Sequence, residues 1–209
     1  AVREVNSKAS ILVDNCYGEF TETREPTDVG ADLIAGSLIK NPGGGLAPTG
    51  GYIAGRADLV ERAAIRMTAP GIGGECGSTL GNNRLLFQGF FMAPHVVAQA
   101  LKTTAFCAGM MERLGFKTSP SAAETRHDII QMIEFGSADK LLRFCEGIQH
   151  GSPVDSFVTP IPWAMPGYED EVVMAAGAFI QGSSIELSCD GPLREPFLGY
   201  MQGGLTYES

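Results

Sequence analysis

Lys40 stands where the apolar run Leu33 to Ile39 gives way to the glycine-rich stretch Asn41 to Gly51. A carboxylate, Asp14, ends another apolar run, Ala9 to Val13, 26 positions earlier. A lysine at a strand end, partly desolvated, can present a neutral amine near pH 7 and form a Schiff base with a carbonyl cofactor. An ionised acid at a neighbouring strand end can face a ring nitrogen and keep it protonated, so that the ring accepts electrons from a substrate carbanion. Ser37, three residues before Lys40, has a hydroxyl able to reach a phosphate oxygen. The other reading of each residue is plain: a solvated surface lysine, a turn-forming aspartate and a flexible loop.

The standard phosphate motifs do not fit. A P-loop places its glycines before the lysine, whereas Gly43 to Gly45 follow Lys40. Gly71-Ile72-Gly73-Gly74-Glu75-Cys76-Gly77 misses G-x-G-x-x-G by one place, with no strand leading into it.

The elements that must position these residues read as α/β. Ala9–Val13 is a short apolar run of the kind found in parallel sheets covered on both faces, and Ala31–Ser37 reads as the next buried strand. Gly50–Gly55 reads as a third strand, paired with the second as a hairpin and giving one antiparallel member in a mostly parallel sheet. Asp58–Met67 reads as a helix with an acid in its first turn. Ala69 to Asn83 is glycine-rich and reads as loop. A long helix from Gln88 to Leu114, broken or kinked near Pro94 and stopped at Gly115, is the expected joint.

Beyond it the pattern changes. Asp128–Phe135 reads as a strand, Lys140–Gln149 as a helix capped by Ser137 and Asp139, and Pro153–Gly167 as a structured loop. Glu171–Ala176, Ser184–Cys189 and Leu198–Met201 read as further strands. The division expected is residues 1–93, the C-terminal part of a cofactor-binding large domain, and residues 94–209, an interdomain helix with a small α+β domain.

Composition excludes several classes. A net charge of -9 leaves no basic stripe for nucleic acid. Five widely spaced cysteines without a C-x-x-C pair fit reduced thiols and a cytoplasmic location better than a disulfide framework. His95, His127 and His150 make no metal-binding spacing, so no metal is expected. No apolar run reaches the length of a membrane span, and no signal-peptide pattern is present, so no membrane partner is expected. The chain does not begin with Met and enters an apolar run almost at once, which suggests a longer parent and leaves organelle targeting open.

The blocks Val13-Asp14-Asn15-Cys16-Tyr17-Gly18-Glu19-Phe20, Gly30-Ala31-Asp32 and Gly36-Ser37-Leu38-Ile39-Lys40 resemble the fold-type-I pyridoxal-phosphate (PLP) enzymes of cysteine and methionine metabolism. With Ser152–Phe157, Met165–Tyr168, Met174–Gly177 and Tyr200–Thr206, the chain most closely resembles the aluminium-resistance or methionine gamma-lyase-like family, relatives of cystathionine lyases. The resemblance implies PLP as cofactor. Lys40 would be the catalytic lysine and proton shuttle, Asp14 the partner of the pyridinium nitrogen, and Ser37 a phosphate contact. Cys16 falls where the superfamily often has a Thr beside the ring, and Ile39 where many relatives have a second phosphate-binding Thr.

No clear match exists for the superfamily's C-terminal arginine that grips the substrate carboxylate. Arg194 is the nearest candidate, with Tyr17 also on the substrate side; an exposed structural role is the alternative for Arg194, as for Arg56 and Arg84. Family members are about twice as long, and their N-terminal half supplies the phosphate-holding turn, the stacking ring and contacts to a neighbouring subunit. The expected partners are therefore an amino-acid substrate, that N-terminal half, and further copies in a homodimer or tetramer. The expected activity is a PLP-dependent lyase cleaving a carbon–sulfur bond by β- or γ-elimination. An aminotransferase and a cofactor-free structural or assembly module are the alternatives.

Overall fold

The computed structural model describes residues 1–75 and 80–208. After a short N-terminal turn of helix, α1 (Val2–Val5), the first sheet is built from β1 (Leu12–Asp14), β2 (Leu33–Ser37) and β3 (Gly51–Gly55), in that order. β1 runs parallel to β2, with Asp14 opposite Ala35. β3 returns antiparallel, with Gly51 opposite Ser37, and forms the hairpin that the glycine-bounded run predicts. Only one of the two pairings is thus parallel, which corrects the expectation of a mostly parallel sheet. The reason is the connection: Leu38 to Gly50 contains only a 3-10 turn at Asn41–Gly43, not the helical crossover that a parallel return ordinarily uses.

α2 (Ala57–Met67) follows β3 directly. The glycine-rich stretch after it holds a 3-10 turn at Gly73–Glu75; the remainder of the near-motif, Cys76 and Gly77, lies outside the described residues.

α3 spans Asn83–Arg113 as one helix running through Pro94, so of the break or kink expected there the break does not occur. Proline removes one backbone donor there. The cost is met by packing: Val96, Val97 and Ala100 are buried against Ile129 and Ile185, and Ala93 is fully buried. Gly115, at φ 86°, ends the helix in the left-handed conformation, as its position suggests.

The second sheet is antiparallel throughout, in the order β4 (Lys117–Ser119), β5 (Ile130–Glu134), β8 (Leu198–Gln202), β7 (Ser188–Pro192), β6 (Val172–Ala176). β4 is short and polar and escapes a reading based on apolar runs. The strand expected at Ser184–Cys189 instead begins at Ser188. Ser183 to Leu187 is bent away because the Glu186 carboxylate accepts from the backbone N–H groups of Phe179 and Ile180, and Glu186 N–H donates to Ser183 O. α4 (Ala138–Gly151) covers the sheet, its first turn capped by the Ser137 hydroxyl as predicted. Ile133, Leu141, Cys145, Val173 and Cys189, all at 0% exposure, form the main core. No helix among the described residues is long and apolar enough to cross a membrane.

Candidate functional site

Strand β1 ends because Asp14 turns its side chain back on the chain: Oδ1 accepts from the Cys16 N–H at 3.1 Å. The loop that follows holds two non-glycine residues in the left-handed region, Tyr17 at φ 76° and Phe20 at φ 62°. Such conformations persist only where the surroundings impose them. Here Asn41, next to Lys40 and at 0% exposure, donates from Nδ2 to the carbonyls of Tyr17 and Glu19, each at 3.0 Å. Asn15 N–H donates to Ala35 O at 2.8 Å, and the Glu25 carboxylate accepts from the Asn15 amide and the Phe20 N–H. The Asp14 loop and the Lys40 turn are therefore one hydrogen-bonded unit.

Sheet alternation places Asp14, Ala35 and Ser37 on one face. With Cys16, Gly50 and Gly51 they line an open cleft of about 450 Å³. Ser37 Oγ accepts from Ile39 N–H at 3.4 Å. The Asp14 carboxyl is held below its ordinary value by the Cys16 N–H, then by the Cys16 thiol and by the charge of Lys40, so it stays ionised. Burial pushes the Cys16 thiol up, as does its hydrogen bond to Asp14, so it stays protonated.

Lys40 sits at the side of this cleft, with Nζ 4.4 Å from the centroid of the Tyr17 ring. The Tyr17 hydroxyl donates to Ser184 Oγ at 3.1 Å, which ties the loop after Asp14 to the segment leading into β7. Burial works to lower the Lys40 pKa, but Tyr17 and Cys16 together outweigh it and hold the amine above its ordinary value. The net direction in this chain taken alone favours the charged form of the Lys40 amine.

The glycines that directly follow Lys40 serve packing. Asn41 to Gly44 are buried and packed on α3. A Cβ on Gly89 would lie 2.1 Å from Gly43 O, and one on Gly44 would lie 2.5 Å from Gly89 O. These glycines let two backbones touch. The space beside the candidate site comes from Gly50 and Gly51 instead.

Asp14, Cys16, Ser37, Lys40 and Tyr17 are thus gathered at one end of the first sheet. Arg194 is not: its guanidinium is exposed and pairs with Asp170 at 3.4 Å. Arg56 is held between Asp32 and Asp58, at 3.1 and 2.7 Å, and Arg84 is exposed. Three site-forming residues carried no signal in the sequence. Asn41 reads as a turn residue. Glu19, at 4% exposure, is buried behind Gly36, with Oε1 accepting from the Tyr52 hydroxyl at 2.8 Å and Oε2 unpartnered. A Cβ on Gly36 would lie 2.5 Å from that Oε1. Asp190, on β7, feels the charge of Lys40 from the other sheet.

Comparison with known proteins places the chain. The chain is 57% identical over 206 residues to the uncharacterized protein YnbB of Bacillus subtilis, covering 99% of this chain and 49% of that one. It superposes on a carbon-sulfur lyase involved in aluminum resistance from Clostridium novyi with a TM-score of 0.92 and 59% identity, covering 99% of this chain and 48% of that one. A Clostridium acetobutylicum protein, provisionally named a cystathionine beta-lyase involved in aluminum resistance, gives a TM-score of 0.94 at 59% identity, covering 99% and 48%. The chain therefore spans about half the length of these relatives. The family profile described as Methionine gamma-lyase matches residues 1–209, and the chain belongs to that family.

Proposed function

We propose that this chain carries the cofactor-lysine half of a PLP-dependent lyase that cleaves a carbon–sulfur bond in a sulfur amino acid by β- or γ-elimination. The observation that carries the reading is the meeting of Asp14, Cys16 and Ser37 in one cleft, with the Lys40 amine at its side. The donor set fits PLP. An acid kept ionised by its own loop suits a protonated ring nitrogen, Ser37 offers a hydroxyl to a phosphate oxygen, and Gly50 and Gly51 leave room for a flat ring. When bound, PLP supplies an electron-accepting ring that stabilises negative charge at the substrate α-carbon.

The chain's own residues supply the rest. Asp14 holds the charge that keeps a proton on the ring nitrogen. Lys40 Nζ is the group that takes the α-proton, and the Tyr17 ring beneath it fixes where that nitrogen stands. To act as nucleophile or base the amine must first lose its proton, which its present neighbours oppose. Residues 1–93 would form the C-terminal part of a fold-type-I large domain, and 94–209 the connecting helix and a small domain. The working unit would be a homodimer or tetramer that includes the other half of the relatives' length.

The relatives' names for carbon–sulfur and cystathionine lyases support elimination over other PLP chemistries. The protein carrying this chain, supplied with PLP and with cystathionine, methionine or cysteine, is expected to release ammonia and a 2-oxo acid. Product that forms only with an added oxo-acid acceptor would assign transamination instead. No product under either condition, with no visible cofactor band, would retire the reading.

A further inference from the structure

Two acids are buried in the first sheet and its loops, and they are balanced differently. Asp32 pairs with Arg3 and Arg56, at 2.7 and 3.1 Å. Glu19, at 4% exposure, makes no ion pair among the described residues. Its Oε1 accepts from the Tyr52 hydroxyl at 2.8 Å, while its Oε2 is buried without a hydrogen-bond partner. The carboxyl lies against β2 at Gly36, where a Cβ would stand 2.5 Å from Oε1 and 2.6 Å from the Tyr52 ring. That face of the strand is the one opposite Ala35 and Ser37, so Glu19 sits behind the floor of the Asp14 cleft. A carboxylate ionised in such a place is costly unless a cation answers it.

The cation that answers it is Lys40, which also makes no ion pair among the described residues. The two residues are fixed relative to each other, because Asn41, next to Lys40, donates to Glu19 O at 3.0 Å. Glu19 faces Tyr52 from β3, Glu25 from the loop that follows it and Lys40 from the turn after β2. Lys40 in turn faces Tyr17, Cys16 and Asp14 at the end of β1, and Asp190 from β7. Asp14 is held ionised by the Cys16 N–H, and Asp190 accepts a hydrogen bond from Gln202. Glu19 differs in having a bare oxygen. Burial pushes its carboxyl up to about 7, and the charge of Glu25 adds to this, against its own backbone N–H, the Tyr52 hydroxyl and the charge of Lys40. A carboxyl that exchanges its proton near neutral pH can respond to a change of charge at Lys40, whereas one locked as an anion cannot.

We propose that Glu19 is the counter-charge of Lys40, and that the pair exists either as carboxylate with ammonium or as carboxyl with free amine. In passing from the first form to the second, one proton leaves Nζ and one is taken up on the Glu19 carboxyl, so the net charge of the pair stays at zero. The free amine that a carbonyl cofactor or an α-proton requires then costs less than it would beside a carboxylate unable to take up a proton. Glu19 is not among the residues that line the cleft, so it acts through Lys40, as a positioning residue. The proposal rests on the reading of Lys40 as the cofactor lysine.

Two titrations test it, and neither needs the cofactor. In the chain labelled at its glutamate carboxyls, carbon NMR should show Glu19, assigned by its loss in Glu19→Gln or Glu19→Asp, titrating at about pH 7. Lys40→Met removes the charge and keeps the length, and should move that midpoint up by about half a pH unit or more. Conversely, Glu19→Gln should speed acetylation of Lys40 by acetic anhydride about threefold or more relative to the exposed Lys8, because coupling between two proton sites is reciprocal. A Glu19 midpoint that stays in place in Lys40→Met overturns the proposal, and this arm decides alone if Glu19→Gln does not fold. An unchanged Lys40 rate in folded Glu19→Gln also overturns it, as does an Asp190→Asn that speeds Lys40 as much as Glu19→Gln does. PLP trapping at Lys40 and 2-oxo acid release report the lyase reading separately: reciprocal shifts without them keep the Glu19–Lys40 pair and remove the lyase.

Discussion

The two sheets hold themselves together by different means. The second sheet encloses a core of fully buried apolar side chains, Ile133, Leu141 and Val173 among them, under the cover of α4. Of the strand residues in the first sheet, Ile34 alone is buried. What fixes the first sheet and its loops is polar: Asn15, Glu19, Asp32 and Asn41 are all buried. Asp32 binds the Ile11 N–H, Arg3 and Arg56, while Asn41 and Glu25 pin the loop that carries Cys16 and Tyr17. Packing is non-directional, but hydrogen bonds fix angles. In this chain, which spans about half the length of its relatives, the part that carries the candidate lysine and carboxylate is held by directional contacts.

That contrast is breakable. The largest effect is expected in the second sheet: Leu141→Ala should cost about 2–5 kcal/mol in urea unfolding, from lost burial and the cavity left behind. In the first sheet the largest effect should come from a charge. Burial raises the Glu19 carboxyl from 4.5 to about 7. A folded-state value above the unfolded one means that the stability contributed by Glu19 is complete below pH 4.5 and is lost as pH rises through 7. The loss should approach about 3 kcal/mol at pH 8, and Glu19→Gln should abolish this fall while keeping an acceptor for Tyr52. An unchanged pH slope in Glu19→Gln would show that the buried acid does not govern this region.

Asn41→Ala removes two donors and strands the Tyr17 and Glu19 carbonyls, at a cost of about 2–3 kcal/mol. Amide exchange should quicken from Asp14 to Phe20 and stay slow in β5, β7 and β8; acceleration spread evenly over both sheets would erase the distinction between them. Smallest of all should be Leu12→Ala. Leu12 is 64% exposed on the open face, and its truncation should cost about 0.5 kcal/mol or less. A cost near that of Leu141→Ala would mean that the first sheet also relies on apolar cover.

This difference also explains what could be read from the sequence. Local signals served well. Apolar runs locate β1, β2 and β6, flanking glycines locate the β3 hairpin, and Ser137 announces α4. Asp14, Ser37 and Lys40 are visible because strand ends are local features. Asn41 and Glu19 are not, because their importance lies in reaching across a loop, to carbonyls 24 and 22 positions away for Asn41 and to Tyr52 for Glu19. The role of Gly43 and Gly44 is equally non-local, since it depends on Gly89. Asp190 lies mid-strand like any other alternating polar residue, and only the fold brings it within reach of Lys40.

The central claim, that Lys40 beside the Asp14 cleft is the cofactor lysine, is tested most directly by chemical trapping. The chain is incubated with PLP and reduced with borohydride, and the labelled peptides are mapped by mass. Lys40 should take the label ahead of the exposed Lys8, Lys102, Lys117 and Lys140, and Lys40→Ala should remove that labelled site. Because its amine is held above the ordinary value, labelling should increase with pH as the neutral form appears. Label spread evenly over the exposed lysines, or absent from Lys40 at every pH, would contradict the account.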